Sequence, residues 1–213
     1  MARTLVEFLP VDGASIATIG DFLGTETLAA SDPTIASLEE LQFDLGEGPC
    51  WDALATLAPV IHPDVAAIPE GIWPAYRRGL ENHRVAAIFA FPLAIGPMRI
   101  GAIDLYAVTP TKLDQTHASE TAALASIISR HVLRGALRSA GGNEPRQGNY
   151  SRRTIHQATG FLIAQCGISA DDAYLLLQGH AFAEGVSMDE IAHEVVAGRL
   201  GFEATGAVIG DSR

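Results

Sequence analysis

The sequence predicts an α+β chain in two parts: an antiparallel-sheet domain with flanking helices and a long connecting helix, then an all-α bundle of three helices. Three observations lead there. Ala86–Leu93 and Arg99–Val108 are two adjacent apolar runs, short enough to be strands and joined across Ala94–Met98 as a central hairpin. Residues from about Asp114 to Arg138 hold no proline and one glycine, Gly135, and carry Leu124, Ile127, Ile128 and His131 at helical spacing. Beyond a stretch rich in Gly, Pro and Asn, only helical periodicity remains.

The elements follow in order. Ala2–Leu9 reads as a shortened first helix, and Ala14–Phe22 with Thr25–Ala30 as a hairpin turning at Gly24. Asp32-Pro33 opens a helix through Gln42, with proline in its first turn. Gly46-Glu47-Gly48-Pro49 is a helix-entry turn, and Pro49 starts a helix to about Leu57. Pro59–His62 is a short strand, and Trp73-Pro74 starts a helix ending near Asn82. In the second part, a helix from Ser151 to Cys166 closes at Gly167, a residue suited to a left-handed cap. Ser169 caps the next, which ends before Gly185. Ser187 and Glu190 have capping-box spacing, and Met188, Ile191, Ala192, Val195 and Val196 form one apolar stripe. The expected organisation is a sensor domain over 1–138, a linker over 139–150, a bundle over 151–203 and a flexible tail over 204–213.

Composition narrows the function. Apolar residues make up 48% of the 213, enough for a sizeable core. The net charge is -11, which argues against a duplex-DNA binder, whose footprint is a basic patch. Two distant cysteines, Cys50 and Cys166, form neither a disulfide framework nor a zinc motif, and both read as small buried hydrophobes. No secretory signal and no long apolar span is present, so a cytoplasmic protein without a membrane partner is expected. No Gly-x-Ser-x-Gly elbow or His-Glu-x-x-His motif occurs, and the seven histidines are scattered, so an enzyme, a metal site or a cofactor is not expected.

Glu40-Leu41-Gln42-Phe43-Asp44-Leu45-Gly46-Glu47-Gly48-Pro49-Cys50-Trp51-Asp52-Ala53 resembles a block of actinobacterial GAF domains, and Trp73-Pro74, Phe91-Pro92-Leu93 and Gly101–Tyr106 continue the pattern in order. Ile155-His156-Gln157-Ala158-Thr159-Gly160-Phe161, Gly167-Ile168-Ser169, Asp172-Ala173, His180-Ala181-Phe182 and Ile191-Ala192 with Val195-Val196 resemble an ANTAR domain. The resemblance implies a regulator that senses a small molecule through its GAF domain. It further implies that the ANTAR domain binds paired stem-loops in leader transcripts and promotes transcription antitermination. Where the GAF-linked branch of that family tends to have arginine, this chain has Gln178.

On this reading Arg152, Arg153, His156, Gln157, Thr159, Gly160 and Gln178 are the candidate RNA-binding residues. Two cations at a helix start oppose its macrodipole, so they look misplaced for stability; they are either phosphate contacts or two solvated charges. Gly160 either lets RNA approach or lets the next helix pack closely, and packing is preferred; His180 reads as a core or dimer-interface residue. Trp51, Trp73, Tyr76 and Asp104 are the candidate ligand-pocket residues, with core packing as the rival for the aromatics; Asp104, an acid in a central strand, bonds either a ligand or a neighbouring loop. A homodimer along the 114–138 helix is expected. The alternative function is a sensing and protein-interaction module whose acidic helical tail docks a protein and has lost RNA binding.

Overall fold

The computed structural model describes residues 1–20, 23–140, 152–202 and 208–210. It divides into two compact units, 1–150 and 151–213. Phe22, the 141–150 part of the expected linker, Ser151 and most of the expected tail lie outside the described residues.

The first unit is built on strands β1 (Gly13–Thr18), β2 (Glu26–Ala30), β3 (Val60–His62), β4 (Ala87–Ile95) and β5 (Met98–Ala107). They form one sheet in the order β2-β1-β5-β4-β3, with every pairing antiparallel. Side chains alternate across a strand, so the central strands β1, β4 and β5 serve cores on both faces of the sheet. Phe89, Phe91, Leu93, Ile103 and Leu105 pack with Ala125, Ile128 and Val132 of helix α5 (Gln115–Ala140) and Leu5 of α1 (Ala2–Phe8). On the other face, Ala102 and Tyr106 of β5 belong to cores completed by α2 (Pro33–Leu45), α3 (Pro49–Thr56) and α4 (Pro74–Leu80).

The helix starts follow the sequence punctuation. Asp32 caps α2 by accepting from the backbone N–H groups of Thr34 and Ile35, at 2.8 and 3.1 Å. α2 runs to Leu45, three residues past the expected Gln42, because the left-handed residue that ends it is Gly46, at φ 66°. Proline occupies the first turn of α2, α3 and α4 alike.

The second unit contains α6 (Arg153–Cys166), α7 (Ala170–Glu184) and α8 (Met188–Val196) around Ile155, Leu162, Leu177, Met188, Ile191 and Val195. Gly167 closes α6 in the left-handed region, Ser169 accepts from the Asp172 N–H, and Ser187 and Glu190 form the complete capping box. One element departs from expectation. Within the stretch expected as a flexible tail, residues 208–210 form a strand: β6 (Leu200–Phe202) pairs with β7 (Val208–Gly210). Phe202 is buried in the bundle core, where the Cys166 thiol donates to its carbonyl at 3.2 Å and the His180 ring meets its ring edge-on. Among the described residues, no helix is long and apolar enough to cross a membrane.

Candidate functional site

α6 presents one polar face. Arg153, His156, Gln157 and Gly160 stand at helical spacing and all are exposed. A Cβ added at Gly160 would meet nothing within 4 Å. The preferred explanation, close packing by the next helix, is therefore corrected: Gly160 lies on open surface. Thr159 is half-buried and its hydroxyl donates to the Ile155 carbonyl at 2.8 Å, a bond within its own helix. Gln178 is half-buried on α7.

Arg152 is the main correction on this helix. Its residue surface is only 8% exposed. The guanidinium donates to the Tyr174 hydroxyl at 3.3 Å and reaches the Met188 sulfur at 3.7 Å, tying the start of α6 to α7 and α8. A residue read as a phosphate ligand is thus a bundle residue, and of the expected pair of arginines only Arg153 is exposed.

The ligand-pocket candidates of the first unit gather over the α2–α4 side of the sheet. Tyr76 and Asp104 are buried, Trp73 is 6% exposed and Trp51 is half-buried. Both indole N–H groups are taken by protein: Trp51 donates to the Gln42 carbonyl at 2.7 Å and Trp73 to Asp52 at 2.9 Å. Trp73 meets His62 and Tyr76 edge-on, with ring centroids 5.2 and 6.3 Å away. Asp104 accepts from the Gln42 amide at 3.2 Å, so its partner is a helix side chain and not a loop. Beside it lies fully buried Glu39, which accepts from the hydroxyls of Ser15 and Thr27. Burial, then the nearby Asp104 charge, push Glu39 up to about 8; burial pushes Asp104 up to about 7. The Cys50 thiol and Tyr76 hydroxyl are also raised, first by burial.

Residues 1–132 match the GAF domain family model, more than half of the chain. The chain belongs to the GAF family. Residues 148–196 match the model of the ANTAR domain, which contains all of α6, α7 and α8. No curated protein matches. Among solved structures, a domain of a two-component sensor histidine kinase protein from Sinorhizobium meliloti is 16% identical with a TM-score of 0.51, covering 65% of this chain and 90% of that one. The GAF domain of a phosphoenolpyruvate-protein phosphotransferase from Coxiella burnetii is 17% identical with a TM-score of 0.51, covering 65% and 82%. These likenesses support the fold.

In the GAF domain, the Glu40–Ala53 block acts as a clasp. The Gln42 side chain accepts from the Cys50 N–H at 2.8 Å, and a Cβ at Gly48 would come within 2.6 Å of its oxygen. Glu47 accepts from the N–H groups of Ala75 and Tyr76, both at 2.7 Å, so the turn before α3 caps the start of α4. Asp52 holds Trp73, the residue before α4, at a left-handed φ of 47°. Glu39, Gln42, Glu47 and Asp52 were missed as site residues. The signal for the first two was available: they share a helical stripe with Ile35, Leu38 and Phe43, where solvent-facing polar residues do not belong.

Proposed function

We propose that this chain is a signal-responsive, non-enzymatic regulator that binds RNA through its ANTAR domain and promotes transcription antitermination. The observation that carries the reading is the exposed α6 face of Arg153, His156, Gln157 and Gly160, inside the ANTAR match. Such a face offers a cation and hydrogen-bond donors beside a residue with no side chain, a combination suited to a phosphate backbone at close approach. The small-molecule input is assigned to the α2–α4 side of the GAF domain, where Trp51, Trp73, Tyr76 and Asp104 gather. A ligand there changes output only if it binds one state of the domain better than another.

We also propose a homodimer through α5. Ile128 and Val132 are spent on the sheet, whereas Leu124, Ile127 and Leu137 are 40%, 58% and 60% exposed. A groove of about 700 Å³ runs between α1 and α5, lined by Leu5, Phe8, Leu124, Ile127 and Ile128 among others. A target with two stem-loops suits two ANTAR domains.

A second reading, a helical tail that docks a protein and has lost RNA binding, is favoured by the α7 surface. Leu175 and Phe182 are 59% and 57% exposed and lie on one helical face around Gln178, where the family tends to have a cation. The separating experiment is a salt titration of binding to a leader RNA with two adjacent hairpins. For an RNA binder, Arg153→Glu lowers affinity about tenfold and flattens the salt dependence, because a lost phosphate contact releases fewer counterions. Equal affinity and slope for the unmutated chain and the variant would remove α6 from the contact surface; no RNA binding by either would favour the docking tail.

A further inference from the structure

The GAF core contains a pair of acids that the regulatory reading does not use. Glu39 comes from α2 and Asp104 from β5, and they are 0% and 3% exposed. Ser15, which donates to Glu39 at 2.8 Å, is also the register partner of Asp104 across β1 and β5, so both carboxyls converge on one spot of the sheet. The surroundings are known from each packed element. α2 supplies Glu39 and Gln42, α3 supplies Cys50, α4 supplies Tyr76, β1 supplies Ser15, β2 supplies Thr27, and the neighbour of Asp104 on β4 is Ala90. None of these groups is a cation.

The hydrogen bonds leave one carboxyl oxygen of the pair uncompensated. The Cys50 N–H can only donate, so the Gln42 oxygen is committed to it and the Gln42 nitrogen must face Asp104 Oδ2. Asp104 Oδ1 is buried without a hydrogen-bond partner. A bare carboxylate oxygen in that position is costly, and a second carboxylate beside it makes full ionisation of the pair more so.

We propose that Glu39 and Asp104 form a proton-binding site in the GAF core whose occupancy holds α2 on the sheet, making this domain responsive to pH independently of any RNA. The titration belongs to the pair and falls at about 7 and about 8. The sign follows from linkage. Both groups are raised above their unfolded values, so the closed state binds more protons than the open one; stability is fully present below about pH 4, the unfolded carboxyl range, and is lost progressively as pH rises to about 8.

The test is infrared spectroscopy and hydrogen exchange on the full chain between pH 5.5 and 9. At pH 6.5 the unmutated chain should show a protonated-carboxyl band, since exposed carboxylates are ionised there, and the band should fade as pH rises through 7 to 8. Exchange of the 33–45 amides, corrected for intrinsic rate, should quicken about tenfold per pH unit for each proton held, then level off above about 8. Glu39→Gln and Asp104→Asn should each weaken the band and reduce that slope, and the double variant should abolish both. Absence of the band at pH 6.5, or pH-independent exchange of α2 in the unmutated chain, would overturn the proposal; both readings come from the unmutated chain, so they decide even if the variants do not fold.

Discussion

Two adjacent arginines carry opposite roles. Arg152 is enclosed by Tyr174 and Met188, whereas Arg153 is exposed at the head of the α6 polar face. Removing the first takes away buried packing and a hydrogen bond between helices; removing the second takes away an exposed side chain. Arg152→Ala should therefore lower the stability of the ANTAR domain by about 2 kcal/mol, and Arg153→Glu should change it by less than about 0.5 kcal/mol. Urea unfolding followed by circular dichroism measures both. RNA binding should respond in the other sense: Arg153→Glu weakens it while the fold is intact. A stable Arg152→Ala protein would contradict the bundle role assigned to this guanidinium. In the sequence the two arginines look alike, because a cation at a helix start has no local stabilising use. The use is non-local, a partner 22 residues away on α7, and spacing within one helix carries no trace of it.

At the scale of elements, the α6 helix has a feature that costs stability without visible packing return. Gly160 stands mid-helix, and no neighbour occupies the space a Cβ would need. Gly160→Ala should stabilise the domain by about 0.5 to 1 kcal/mol, through helix propensity alone. If RNA comes close at this point, the same methyl weakens binding; thermal unfolding and RNA titration of one variant give both numbers, and a destabilised variant would contradict the open surface. The elements were largely legible in the sequence, because their ends are written in local chemistry. Asp32-Pro33, Gly167 and the Ser187–Glu190 box each act within four residues. The β6–β7 hairpin was not legible. Its strands are three residues each, too short to show alternation, and they are held by Phe202 in a core contributed by other helices. The acid pair was half legible: Asp104 stands out inside an apolar strand and Glu39 falls in the apolar stripe of α2, but that the two meet is displayed only once β1, β2 and β5 are brought beside α2.

At the scale of the molecule, the chain joins a GAF domain to an ANTAR domain, and the regulatory account needs each to do its part. Dimerisation through α5 is one requirement. Leu124→Glu with Ile127→Glu places two charges on the exposed side of the helix while leaving Ile128 and Val132 on the sheet. Sedimentation at roughly tens of micromolar, well above the dissociation constant of a micromolar complex, should show a dimer for the unmutated chain and a monomer for the variant; a monomer for both would remove α5 as the interface. RNA recognition is the central requirement, and it is tested most directly by crosslinking the protein to RNA in growing cells and sequencing what is bound. Leader segments containing two adjacent hairpins should be enriched, and that enrichment should be lost in the Arg153→Glu strain at equal protein level. Recovery of no RNA above an uncrosslinked control, or of the same RNAs in both strains, would contradict it.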